Sequence, residues 1–302
     1  MSEFTVDTIT EAAIQQMAAT PNPRLKLVME TMVRHLHAAA REVNLTPAEW
    51  LMGIDFLTKV GQKCTPTRQE FILLSDTMGL SALVHLMHDK TAMEEATTTS
   101  LLGPFFRENT PRYKAGDQIS KTVKGKELAM WGTVTDAQGK PLPNAEVTVW
   151  QTAENGLYDI QYQDDPDVRG IFTTDAEGKY LLRTVLPVGY SIPMDGPVGD
   201  LVKQQGRHGM RPAHIHFLIS SPGCRELVTA LYLAGDVHLE DDTVFGVAPE
   251  LVMHVKDYEP TCPIQGLPSV RYDFSLSKAS EADKASGRVG ADPAAITRVA
   301  AE

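Results

Sequence analysis

The sequence is poor in cysteine, in positive charge and in long apolar runs. Three cysteines occur in 302 residues, Cys64, Cys224 and Cys262. They are odd in number, far apart and form no CxxC pair, so they make neither a disulfide framework nor a thiolate metal knot. Each reads as a small core or surface residue, and the set fits a reducing compartment. Lys and Arg number 28 against 39 Asp and Glu, a formal net charge of −11. An acidic chain repels phosphate backbones, so no nucleic-acid partner is expected. No stretch approaches the roughly 20 apolar residues that span a bilayer, so no membrane insertion is expected. The opening Met1-Ser-Glu-Phe-Thr-Val-Asp7 lacks the basic-then-apolar order of a signal peptide. The expected location is therefore cytoplasmic.

What is present changes character near residue 100. Before it, Leu25, Leu27, Val28, Met32, Val33 and Leu36 follow helical spacing. Thr46 is a good N-cap before Pro47, and Trp50, Leu51, Ile54, Leu57 and Val60 form the next apolar stripe. Two more helices are predicted over 68–78 and 81–88, separated near Gly79. These stripes exceed what a small helical region can bury, which suggests a homodimer. From about 126 the period becomes two. Strands are predicted over 128–134, 145–150, 172–174, 180–185, 214–219 and 227–233, with turns at Asp136-Ala-Gln-Gly139 and Asp175-Ala-Glu-Gly178. Short strands at this spacing predict an antiparallel β-sandwich. Residues 186–212, rich in Gly and Pro, read as one long loop of the kind that carries function. The expected class is mainly β with an α-helical N-terminal region. Its three parts are a helical dimerisation region at 1–100, a β-sandwich catalytic domain at 101–277 and a loosely attached tail at 278–302.

The chemistry starts at Arg211-Pro-Ala-His-Ile-His216. On a strand, His214 and His216 share one face while Ile215 points the other way, into the core. Two imidazoles side by side chelate a borderline metal such as Fe, Zn or Cu, although H-x-H alone also occurs as a chance surface pair. The remaining ligands are open. Cys224 is isolated on a turn. Asp195 and Asp236 are nearby carboxylates. Tyr158 and Tyr190 each follow a loop-forming glycine, and a phenolate favours ferric iron. Tyr113, Tyr162, Tyr180, Tyr232, Tyr258 and Tyr272 read as ordinary half-buried aromatics.

Residues 101 to about 255 resemble the intradiol ring-cleaving dioxygenases, the catechol 1,2-dioxygenase superfamily. The resemblance rests on Leu102-Gly-Pro-Phe105, Trp131-Gly-Thr-Val134, Leu142-Pro-Asn-Ala145, Gly156-Leu-Tyr158, Leu186-Pro-Val-Gly-Tyr190 and Gly206-Arg-His-Gly-Met-Arg-Pro-Ala-His-Ile-His216. It implies one Fe(3+) per subunit, without haem, held by Tyr158, Tyr190, His214 and His216. The helical first third resembles the dimerisation region of the catechol-type members, which often hold a phospholipid between those helices. Arg68-Gln-Glu-Phe-Ile-Leu-Leu-Ser-Asp-Thr-Met-Gly79, Tyr190-Ser-Ile-Pro193 and Asp242-Thr-Val-Phe-Gly246 lean toward the hydroxyquinol-cleaving subgroup. A carboxylate at Asp76 could accept a hydrogen bond from the additional hydroxyl of hydroxyquinol, and such a site discriminates strongly. Ala230 stands where catechol-type members commonly carry a glutamine.

The expected reaction joins dioxygen to a small aromatic diol or triol. Tyr190 is the ligand expected to leave and to take a substrate proton. Arg211 is expected to stabilise charge on the bound substrate. Leu73, Asp76, Leu101, Leu102, Ile192, Pro193, Arg211 and Val244 are the candidate substrate-binding residues. Competing readings are cleavage of catechol or substituted catechols, a zinc hydrolase, and a binding sandwich with an incidental metal.

Overall fold

The computed structural model describes residues 4–65, 68–92, 96–281 and 283. The chain forms two compact units, Met1–Lys59 and Val60–Glu302. The expected tail falls largely on 284–302, outside the described residues. Its first residues are attached, since Lys278 bridges Cys224 and Ala279 is buried.

In the first unit, α1 (Ile9–Gln15) lies beside α2 (Pro23–Glu42), held by an Arg34–Glu11 ion pair. Asn22 caps α2, its Oδ1 accepting from the N–H groups of Arg24 at 2.9 Å and Leu25 at 3.0 Å. Thr46 and Glu49 form a capping box at the start of α3 (Pro47–Lys63). The apolar stripes predicted here are real but uncovered. Leu25, Leu27, Met32, Leu36, Trp50, Leu51, Ile54 and Leu57 are all exposed, and α2 buries no residue.

In the second unit, α4 (Glu70–Thr77) and α5 (Leu80–Ala92) break at Gly79, whose φ of +74° is glycine territory. The strands follow. One sheet is β1 (Glu127–Asp136) with β4 (Lys179–Val185), β10 (Ser269–Arg271) and β11 (Phe274–Leu276). The other runs β3 (Arg169–Thr173), β2 (Glu146–Gln151), β7 (His214–Ser220), β8 (Leu227–Leu233), β9 (Val252–Met253). Antiparallel pairing joins all the longer strands, whereas β9, β10 and β11 join parallel, so both sheets are mixed. Alternation builds the core. Leu128, Met130, Val134 and Leu182 from one sheet meet Val147, Val149, Ile215, Phe217 and Ile219 from the other. Burying each such side chain contributes about 1.5–3 kcal/mol.

The single long loop expected over 186–212 is not one. It contains β5 (Tyr190–Ser191), α6 (Pro197–Gln204) and β6 (Met210–Arg211), with β5 and β6 paired antiparallel. Pro197 starts α6, and Val198 and Val202, four apart, are buried. Eight residues amid Gly and Pro give too little periodicity to read from sequence. Among the described residues, no single helix is long and apolar enough to cross a membrane.

Candidate metal centre

β7 is buried on both faces, and the two faces have different tasks. Ile215, Phe217 and Ile219 enter the sandwich core. His214 and His216 face the other way, with their Nε2 atoms 3.1 Å apart. Two segments cover this outer face. Gly156, at φ +76°, turns the chain into Tyr158, whose N–H donates to Gln161 Oε1 at 2.8 Å. Tyr190 sits on β5, across the ladder from Arg211 on β6. The Tyr158 hydroxyl lies 3.3 Å from His214 Nε2, and the Tyr158 and Tyr190 rings meet edge-on at 5.4 Å. The four side chains expected to share a site are thus brought together. Trp150 stacks on His216 at 4.9 Å, and Phe105 stacks on Tyr158 at 4.5 Å, closing the cluster against water.

Protonation states follow from these surroundings. The Pro212 carbonyl is 2.6 Å from His214 Nδ1, which places a proton there and leaves the Nε2 lone pair facing inward. Burial, and then the Arg211 charge, depress the His214 pKa to about 3. Burial, His214 and Arg211 hold His216 well below the usual imidazole range. Both rings are therefore neutral at pH 7, the state that binds metals. Burial, and next Tyr190, push the Tyr158 phenol well above 10. Only a nearby cation of high charge would make it a phenolate at neutral pH. Among the described residues, His216 Nδ1 is buried without a hydrogen-bond partner. Two neutral imidazoles and two phenols at one buried point are a donor set that fits a hard, highly charged metal ion.

Arg211 is buried at the edge of this cluster. Asp242 takes its Nε at 3.0 Å and its Nη2 at 3.2 Å. Its Nη1 lies 3.3 Å from His214 Nε2 and 3.4 Å from the Tyr190 hydroxyl. Burial opposes the charge, and Asp242 with the two tyrosines Tyr190 and Tyr232 more than offsets it. Arg211 is therefore a fixed cation rather than a surface salt bridge.

A cavity is lined by Leu73, Asp76 and Pro193 with Arg68, Glu70, Pro104 and Phe105. Asp76 is buried, and burial raises its pKa against the opposing effects of Ser81 and Arg211. Leu101, Ile192 and Val244 are also buried but do not line this cavity. Leu102 is half-buried against the Phe105–Tyr158 aromatic cluster. The carboxylates weighed as ligands lie elsewhere. Asp195 pairs with Arg68 and Lys63. Asp236 accepts the Ala213 N–H at 2.9 Å and so braces the start of the histidine strand. Ala230 is directly across the ladder from His216.

Tyr232, read from sequence as an ordinary aromatic, is fully buried here. Its hydroxyl takes the Arg211 Nη2 at 3.2 Å and lies 3.0 Å from Ser100 Oγ. Asp242 had a signal, because it opens the Asp242-Thr-Val-Phe-Gly246 motif. Tyr232 had none, since its partner Arg211 is 21 residues away in sequence.

Comparisons with known proteins identify the family. Residues 101–278 match the family model described as "Dioxygenase", and residues 22–96 match "Catechol dioxygenase N terminus". The 6-chlorohydroxyquinol 1,2-dioxygenase of Cupriavidus pinatubonensis is 44% identical over 254 residues, 83% of this chain and 92% of the relative. The hydroxyquinol 1,2-dioxygenase of Nocardioides simplex is 40% identical over 279 residues, 90% of this chain and 95% of the relative. The solved hydroxyquinol 1,2-dioxygenase from Pseudomonas putida DLL-E4 superposes with a TM-score of 0.84 at 39% identity, covering 91% of this chain and 99% of that one. The chain belongs to the intradiol catechol dioxygenase family and is an intradiol aromatic ring-cleavage dioxygenase.

Proposed function

We propose that this dioxygenase cleaves hydroxyquinol, 1,2,4-trihydroxybenzene, between its two adjacent hydroxyl-bearing carbons. The product is 3-hydroxy-cis,cis-muconate, the enol form of maleylacetate. The observation that carries the substrate is Asp76, a buried carboxyl in a cavity with Leu73, Pro193 and Phe105 in its wall. A third ring hydroxyl would donate to it, and a catechol would leave it without that partner.

Tyr158, Tyr190, His214 and His216 would hold one Fe(3+) per subunit. When bound, the ferric ion would supply the electron-accepting centre that makes an aromatic diol reactive toward dioxygen. Tyr190 would be the more readily displaced of the two tyrosines. It sits on a two-residue strand and is 7% exposed, whereas Tyr158 is fully enclosed. Its phenolate oxygen accepts a substrate hydroxyl proton as it moves away, a base step at that atom. Arg211, already fixed by Asp242, stabilises negative charge developing on the bound diol. Trp150 and Phe105 exclude water from the reacting atoms.

The exposed apolar faces of α2 and α3 support a homodimer through the N-terminal helices. A phospholipid seated at that interface fits the same apolar surfaces.

Oxygen uptake on hydroxyquinol, catechol and substituted catechols tests the substrate. Wild-type protein should prefer hydroxyquinol. Asp76→Ala should lower kcat/KM for hydroxyquinol by about 10- to 100-fold, the worth of one charge-assisted hydrogen bond, and barely change catechol. An equal fall on both substrates, or a wild-type preference for catechol, would sink this reading.

A further inference from the structure

Outside the metal centre, three ligand-type side chains converge at the surface. His208 lies between α6 and β6, and His238 and Asp241 lie in the segment after β8. One ligand atom from each lies within 4.8 Å of the other two. Asp241 Oδ2 is 3.0 Å from His208 Nε2, and Asp241 Oδ1 is 3.0 Å from His238 Nδ1. The two rings stand 4.8 Å apart.

We propose that His208, His238 and Asp241 form a second metal site, for one divalent transition ion of the zinc class. Two ligand atoms each about 2.1 Å from a tetrahedral zinc are about 3.4 Å apart. The two 3.0 Å contacts use different oxygens of Asp241, and one ligand atom from each residue lies within 4.8 Å of the other two, so a modest side-chain rearrangement brings the three to that spacing. Two imidazoles select zinc-class ions over magnesium or calcium, which want oxygen ligands. Solvent access leaves the fourth position for water. The segments are already braced. The His238 N–H donates to Asp236 Oδ1 at 2.9 Å, and Asp236 also holds the Ala213 N–H. His208 Nδ1 accepts the Met210 N–H at 3.1 Å, a bond that metal ligation would give up rather than a brace of the site.

That last bond couples the site to the iron-side residues. Ligation through His208 Nε2 moves the remaining ring proton to Nδ1, so the Met210 N–H must release it. Met210 directly precedes Arg211, and Asp241 directly precedes Asp242. A bound ion thus joins the two segments that carry the Arg211–Asp242 pair.

The test uses full-length, iron-loaded protein dialysed against zinc chloride, with zinc and iron both counted by elemental analysis. One zinc per chain should bind beyond the iron, with the iron content unchanged. His238→Ala and the near-isosteric His208→Asn should each weaken zinc binding by about tenfold or more while keeping their iron. The proposal is overturned by no zinc beyond the iron, by zinc that enters only as iron leaves, or by equal uptake in both variants.

Discussion

Asp242 grips Arg211 with both carboxylate oxygens, Oδ1 on Nε at 3.0 Å and Oδ2 on Nη2 at 3.2 Å, and both residues are buried. The grip is what turns a mobile guanidinium into a fixed charge beside His214 and Tyr190. Asp242 is itself fixed, because its Oδ2 accepts the Gly246 N–H at 3.0 Å. A cation aligned before the reaction costs no reorganisation when charge develops.

Asp242→Asn keeps the shape and removes the counter-charge. A buried pair broken on one side costs about 3–5 kcal/mol, because the surviving charge is left uncompensated. Urea denaturation should read that loss. In the surviving folded enzyme kcat should fall more than KM rises if Arg211 acts, as proposed, on charge that develops during reaction. A variant of unchanged stability and turnover would refute the role assigned to the pair.

Gly246→Ala probes the same grip from the opposite side. A Cβ there would lie 2.6 Å from the Tyr232 hydroxyl and 2.8 Å from Arg211 Nη2. Both the arginine and the tyrosine must give way, or the backbone must shift. Overpacking of this kind costs about 1–3 kcal/mol. Oxygen uptake should drop by about tenfold or more, while circular dichroism should show an intact sandwich. Wild-type turnover would mean that Arg211 tolerates displacement.

Tyr158→Phe removes one hydroxyl from the centre of the donor set without opening space. With ferric iron bound, tyrosinate ligation gives a visible charge-transfer band and a reddish protein. The variant should lose much of that band and of its activity. Iron-loaded wild-type protein that is colourless would overturn the ligand assignment.

Acid sensitivity follows from His214. Its folded pKa is about 3 against 6.5 for the ordinary side chain. Between those values the unfolded chain binds a proton that the folded one refuses. Stability therefore falls as pH drops below 6.5, by about 1.4 kcal/mol per pH unit for each such histidine. His216, also depressed, adds in the same direction. Carboxylates of ordinary pKa stay ionised above about pH 5, so the histidines dominate the slope from there to 6.5, with Asp76, raised by burial, acting in the opposite sense. Denaturation midpoints that stay flat across that window would contradict the neutral state of the pair.

Much of this site was legible in the chain because it is built on local rules. A strand's period of two fixes that His214 and His216 share a face, and that Ile215 does not, whatever the rest of the protein does. The switch from helical to alternating spacing near residue 100 marked the change of architecture. Gly79 announced the break between α4 and α5, because a positive φ there favours glycine. The motif around Tyr158 and Tyr190 identified the family, although phenol chemistry alone did not single these two out.

Other features needed the tertiary structure. Tyr232 bonds Arg211 across 21 residues and Ser100 across 132, so no window of sequence contains the relationship. The short parallel strands β9, β10 and β11 have two or three residues each, too few to show a period, and they form because a longer neighbour offers a free edge. His208, His238 and Asp241 are scattered polar residues until two surface segments meet. The sequence alone therefore determined which side chains are candidates for metal chemistry, and on which face of the strand the two histidines lie. Only the fold decided that the pair is buried, neutral and faced by a clamped arginine, because burial and charge neighbours arise from segments far apart in the chain.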